Sequence, residues 1–246
     1  MNKYYYDLHI HSCLSPCGDN DMTVNNIAGM AAIKGLNLIA LTDHNTSANC
    51  PAFFDACKAN GIVPVAGMEI TTSEDIHLVS LFPTLDAAMA FEKIFIPYRM
   101  KLANKPEKYG DQLILDKEDN VIGHDEWFLP AATELSLEDA VSLVRTNGGF
   151  CYPAHIDREA NGIISILGTL PDDPFFGCVE FSPNADKEEY KRLYPSLRDK
   201  NILTSSDAHY LWDISEAENF VMIDDEPYSG DLVRQRFFEF LKGCSF

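Results

Sequence analysis

Along this chain, short apolar runs alternate with longer stretches whose apolar positions recur every three to four residues. Residues 4–10 are rich in β-favouring side chains. Thr23 stands where a helix N-cap would, ahead of an amphipathic stretch that stops near Gly35. Residues 37–42 (NLIALT) read as a short strand, a second helical segment ends near Gly61, and residues 62–70 (IVPVAGMEI) read as a strand again. Residues 76–82 give another strand, leading into a helical stretch to about Met100. Residues 136–146 predict a helix, with Ser136 and Asp139 in capping-box spacing. Strands are expected at 149–154, 177–181, 202–205 and 220–223, and a final helix from about Asp231 to Lys242.

Strands that alternate with helices imply parallel βαβ units. About seven such units without a compositional break favour a closed barrel in one domain, 1–246, over an open sheet. Residues 101–133 break the rhythm: rich in charge, Gly and Pro, they read as an insertion with a small hairpin around 112–122. Long segments of this kind serve as lids or specificity elements, or are simply exposed.

Composition narrows the classes. Hydrophobic residues make up 46% and charged residues 23%, ordinary for a globular protein with a sizeable core. No apolar run is long enough to span a bilayer, and MNKYYYDLHIHS lacks a signal or transit pattern, so a cytoplasmic location is expected. Seven scattered cysteines without a CxxC pair fit reduced thiols. With 19 basic against 38 acidic residues, the net charge of −19 argues against a duplex nucleic-acid binder. It leaves room for a small anionic substrate, because bound divalent cations reverse the field inside a pocket.

The placement of the seven histidines carries the chemistry. His9 and His11 form an HxH pair whose imidazoles period-two alternation puts on one face, where two nitrogens can hold one ion. His44 follows Asp43 at the end of the second expected strand, Glu69 ends the third, and His77 begins the next. His155 ends FCYPAH, and Asp207 and His209 form a DxH pair after ILTSS. In a parallel barrel such strand ends converge on one mouth. A lone strand histidine is more often structural, but HxH and DxH together on separate strands are not explained that way. His124, within the insertion, has no such partners and reads as a surface residue.

The segments DLHIHS, LTDHN, GMEITTSEDIHLVSLF, YPAHID and TSSDAH, in this order, resemble the polymerase and histidinol phosphatase (PHP) family. The resemblance implies an α/β fold, a distorted seven-stranded (β/α)7 TIM-like barrel that binds two or three divalent metals (zinc, manganese or iron) and cleaves phosphoesters. Carried onto the matching positions, it implies that His9, His11, Glu69 and Asp207 hold a first metal. Glu69 bridges to a second, completed by His77 and His155, and His44 and His209 take a third. Family members usually supply a further ligand in an SDG-like turn. Here the turn reads SPCGDND, which leaves Cys17, Asp19 or Asp21; a thiolate there would suit zinc or iron rather than magnesium.

The mechanism expected on that basis is attack in line by a metal-bound hydroxide at the Glu69-bridged pair. Asp43 would orient a ligand or accept a proton, and Arg158 of HIDR would clamp a phosphate. The expected substrate is a small phosphate ester: a nucleotide, a nucleoside bisphosphate or a sugar phosphate. Alternatives are an exonuclease on short single-stranded oligonucleotides, a non-catalytic metal-binding regulatory module, or a hydrolase of C–N bonds. No membrane partner is expected.

Overall fold

In the computed structural model, residues 1–243 are described. The first half runs β1 (Asn2–Asp7), α1 (Val24–Ile33), β2 (Leu38–Leu41), α2 (Cys50–Ala59), β3 (Val63–Thr71), β4 (His77–Phe82) and α3 (Leu85–Phe95), then α4 (Pro106–Tyr109), β5 (Leu113–Leu115) and β6 (Val121–His124). It continues with α5 (Leu137–Thr146), β7 (Phe150–Pro153), α6 (Ile163–Leu167), β8 (Cys178–Phe181), α7 (Lys187–Leu193), β9 (Asn201–Thr204), β10 (Phe220–Ile223) and α8 (Gly230–Gly243). Every run read as a strand forms one. The caps behave as their chemistry requires: Thr23 accepts from the Asn26 amide, and Ser136 accepts from the Asp139 amide while donating to its carboxylate. No helix among the described residues is long and apolar enough to cross a membrane.

The expected ring of seven parallel strands does not form. The fold is α/β, but its main sheet has six strands in the order β10–β1–β2–β3–β4–β7, and β8–β9 is a separate parallel pair. β1, β2 and β3 run parallel to one another, and β10 pairs antiparallel with β1 at the sheet's edge. β4 instead returns antiparallel on β3, because the five residues 72–76 are too few for a helical crossover. β7 is antiparallel to β4 and so regains the direction of β3. Curling brings the sheet to the β8–β9 pair at one end: Ile156 N donates to Glu180 O at 2.9 Å, and His11 N donates to Ala208 O at 3.0 Å.

Alternation along the strands divides the core in two. Ile39, Leu41, Met68, Ile70, Leu78 and Phe82 face the outer helices, meeting Ile27, Phe53, Phe91 and Val141. Leu38, Ala40, Val63, Val65, Val79, Leu81 and Tyr152 face the concave side, where Val233, Phe237, Phe238 and Leu241 of α8 pack against them. Residues 101–133 contain the expected hairpin, β5–β6. It is tied down: Asn49 bonds the backbone of both Leu113 and Leu115, Asp119 accepts from Thr23 and Asn25, and Asn45 Nδ2 donates to Leu129 O and Ala131 O. These bonds dock the insertion against the N-terminal ends of α1 and α2 and the turn after β2.

Candidate metal centre

The concave register that buries Val63 and Val65 continues through Gly67 to Glu69, so β3 delivers this carboxylate to the same face at the strand's exit. His77 is in register with Val79 and Leu81, His44 with Leu38 and Ala40, and Asp207 with Leu203. His9, His11 and His155 are not in register. Tyr4, Tyr6 and Leu8 fill the concave core at even positions, and Ile10 has joined the helix side, so the phase slips by one residue between Leu8 and His9. His155 follows Ala154 with φ +25°, and Asp207 has φ +52°. Left-handed backbone at such residues costs on the order of 1–3 kcal/mol each and is found where a site requires it.

These placements bring one dense cluster together. His9 Nε2 and His11 Nε2 lie 3.2 Å apart. Asp207 Oδ1 is 3.3 Å from the first and 3.0 Å from the second, and Glu69 approaches them at 3.2 and 3.4 Å. Around the same Glu69 stand His77 Nδ1 at 2.8 Å, His44 Nδ1 at 3.0 Å and His155 Nε2 at 3.2 Å. Three sets have ligand atoms close enough to share an ion: His9, His11, Glu69 and Asp207; His44, Glu69 and His77; and His11, His44 and His209. The first matches the four residues the motifs single out. In the second, His44 stands where the resemblance places His155.

The hydrogen bonding fits cation binding. Glu180 Oε1 accepts from His9 Nδ1 at 2.8 Å. The Ser15 hydroxyl donates to Asp43 Oδ1 at 2.7 Å, so its oxygen accepts from His11 Nδ1 at 2.9 Å. His209 Nδ1 donates to the Asp207 carbonyl at 2.8 Å. Each of these imidazoles thus presents its Nε2 lone pair to the centre. Two such lone pairs facing at 3.2 Å repel unless a cation or a proton lies between them. His44 Nδ1, His77 Nδ1 and Glu69 Oε2 are buried without any aligned hydrogen bond, despite their short separations. They converge on shared points rather than on one another, which suits metal ligands better than hydrogen-bond partners.

Electrostatics agree. Burial opposes charge on His9, yet Glu180, Asp207 and Glu69 outweigh it and hold its proton well above the usual range. Burial also opposes charge on His11 and His44, but Asp207 and Glu69 push the first up to about 9, and Glu69 does the same for the second. Glu69 and Asp207 stay ionised against burial because the imidazoles surround them. His209 is pushed down to about 4 by burial and by His11. The carboxylates demand positive charge, and the crowded rings cannot all carry it.

Asp43 does not face the centre. Its carboxylate accepts from Ser12 N, Ser12 Oγ and Ser15 Oγ at 2.6–2.7 Å, which fixes the turn after the HxH pair. Arg158 is at the rim, 42% exposed, paired with Asp207 Oδ2 and donating to Ser182 Oγ at 3.3 Å. Cys17 is exposed beside His44 but is not in any of the three sets, and neither are Asp19 and Asp21. Asp19 turns onto the Asp21 amide. Gly18 allows this tight turn, since a Cβ there would meet Ser12 O at 2.8 Å. His124 is exposed on β6.

Sequence reading missed Glu180, Ser15 and Asp7. Glu180 is buried on β8 and holds both His9 and the His155 amide. Its signal was available: a carboxylate inside the otherwise apolar run CVEF must have a buried partner. Asp7 is also buried, and its carboxylate holds the amides of Ser206 and Ser215, anchoring the segment that carries Asp207 and His209.

Comparison with known proteins identifies the arrangement. The PHP domain profile matches residues 7–159. A 5′-3′ exoribonuclease of Haemophilus influenzae is 32% identical over 114 residues, covering 43% of this chain and 40% of that protein. An error-prone DNA polymerase of Symbiobacterium thermophilum is 32% identical over 77 residues, 31% of this chain and 7% of that protein. The matched stretch therefore spans well under half of either relative. Among solved structures, a protein of Bifidobacterium adolescentis assigned as a metal-dependent phosphoesterase is 18% identical with a TM-score of 0.60, covering 95% of both chains. Endonuclease Q of Pyrococcus furiosus gives a TM-score of 0.57 at 20% identity, covering 85% of this chain and 49% of that one. With the profile spanning most of the chain, the protein belongs to the PHP domain family.

Proposed function

We propose that this chain hydrolyses a small phosphate ester (a nucleotide, a nucleoside bisphosphate or a sugar phosphate) at the histidine–carboxylate centre, with two or three divalent ions of zinc, manganese or iron. The observation that carries this reading is the convergence of buried, unbonded nitrogen and carboxylate lone pairs from separate strand ends. His9, His11, Glu69 and Asp207 would hold one ion. Glu69 would share a second with His77 and with His155 or His44, and His44 and His209 would serve a third, with the exposed Cys17 beside His44. Divalent cations in such a centre neutralise phosphoryl oxygens and acidify water, which offsets the repulsion between an anionic ester and its nucleophile.

The protein's own residues do the positioning. Asp43 holds Ser15 so that His11 keeps its Nε2 lone pair inward, and Glu180 does the same for His9. Arg158 at the rim can turn its fork toward a phosphate, with Asp207 as its resting partner. A second reading, trimming of short oligonucleotides, draws on the named activity of the exoribonuclease relative. The net charge of −19 weighs against long polyanions.

The test is elemental analysis after anaerobic, chelator-free purification, followed by a phosphate-release screen of nucleotides, bisphosphates, sugar phosphates and oligonucleotides. A His9→Ala, Asp207→Ala double variant is the blank. Two to three metals per chain with turnover absent in the blank support the proposal. Metal without turnover on any substrate points to a binding module, and no bound metal sinks the reading.

A further inference from the structure

On the concave face, two polar atoms are buried with nothing bonded to them. One is the hydroxyl of Tyr152 on β7, a side chain with no exposure at all. The other is Oε2 of Glu180 on β8. A buried phenol and a buried carboxylate oxygen each lose water on folding, and leaving either unpaired costs free energy that native proteins rarely accept. The two are complementary, since a phenol can donate and an ionised carboxylate only accepts.

Both belong to one lumen. Tyr152 packs in the concave core with Ala154 and Cys178, and Glu180 is two residues beyond Cys178 on the same strand, hence on the same face. Ile156 N donates to Glu180 O at 2.9 Å, which ties the chain leaving β7 to β8. Burial, and then the Glu180 carboxylate, raise the Tyr152 hydroxyl well above its ordinary pKa, so the phenol keeps its proton and remains a donor. The Tyr6 hydroxyl, in the same concave core, already takes a hydrogen bond from the Thr204 backbone. Glu180 gives only one oxygen to the site: Oε1 accepts from His9 Nδ1 at 2.8 Å and from the His155 amide at 3.2 Å. A carboxylate held through one oxygen can swivel. Holding the second fixes its plane, and with it the direction in which His9 Nε2 faces.

We propose that the Tyr152 hydroxyl donates to Glu180 Oε2, directly or through one bridging water, and that Tyr152 is thereby a positioning residue for His9. The line of contacts runs from the β7 phenol through Glu180 to an imidazole of the first ligand set. Its consequence for metal binding rests on the metal-centre reading, but the contact itself does not.

Tyr152→Phe removes only the hydroxyl, and the two roles open to that group predict opposite signs. An idle, unpaired hydroxyl is better absent, so the metal-free variant would melt at or above the wild-type temperature. A hydroxyl that serves Glu180 is missed. Melting of the metal-free protein should then fall by about 2–4 °C, and Mn²⁺ affinity, read by calorimetric titration of the full chain, should weaken about 3- to 10-fold. In a Glu180→Gln background, where the acceptor is already neutral, the same substitution should change affinity by less than about twofold. Tyr6→Phe controls for general loosening of the lumen: it should lower melting and leave affinity within about twofold. A Tyr152→Phe variant that melts no lower than the wild type, additive effects of Tyr152→Phe and Glu180→Gln, or equal affinity losses for Tyr6→Phe and Tyr152→Phe would each overturn the inference. Should the wild type bind no divalent metal, the metal-centre reading fails. The same double-variant cycle, read by melting of the metal-free proteins, then decides the contact alone: coupling upholds it and additivity overturns it.

Discussion

The two ends of the concave face bury opposite kinds of side chain. At one end Tyr4, Tyr6, Val63 and Val65 meet Val233, Phe237 and Phe238 of α8 in a dry apolar plug. At the other, a few residues along the same strands, Glu69, His9, His11 and Asp207 are as thoroughly buried and entirely polar. Each large apolar side chain at the first end contributes roughly 1.5–3 kcal/mol through burial. Each ionisable group at the second costs free energy that only a partner ion returns. One sheet therefore stabilises the molecule at the plug and holds chemistry at the mouth, and β3 serves both ends on a single alternation.

Four substitutions test that division. Replacing Glu69 by Gln should lower turnover by about 10³-fold, equivalent to ~4 kcal/mol, because the carboxylate is central to two of the sets. Steady-state kinetics with saturating metal would check it, and a loss under tenfold would remove Glu69 from the centre. Phe237→Ala, in the plug, should cost ~3–5 kcal/mol of stability and leave turnover per folded molecule within about twofold. For a chain this long the melting temperature should drop by roughly 6–20 °C. A large change in kcat from that plug variant would mean the two ends are coupled. Glu180→Gln keeps the shape but weakens the acceptor for His9 Nδ1, so metal titration should show about 10- to 100-fold weaker binding. Smallest is Ser136→Ala on α5, away from both ends, which removes a cap worth ~1 kcal/mol and should shift melting by about 2–4 °C with unaltered kinetics.

Legibility differed sharply from element to element. Thr23 and Ser136 announced their helices because capping is local chemistry between residues three apart. The strand runs were readable for the same reason. β4 was readable as a strand but not as the return arm of a hairpin, so the parallel barrel expected from the alternation became a mixed sheet. His9 and His11 could be placed on one face from their spacing. Which face was decided by the slip between Leu8 and His9, and nothing in DLHIHS encodes it locally. Ser15 and Glu180 escaped notice because a hydroxyl or a carboxylate gains its role from what it meets across 4 or 171 residues.

What the sequence determined by itself is the inventory: strands by apolar runs, helices by caps and period, and candidate ligand types by HxH, DxH and the glutamate at a strand exit. Periodicity and local hydrogen bonding act over a few residues, so they can be read from order alone. The tertiary structure decided the direction of β4 and β7, the phase that turns His9, His11 and His155 inward, and the partners that leave their nitrogens free. Those outcomes depend on which distant strands pack together and which buried polar groups must then be satisfied, and that balance exists only once the sheet has curled.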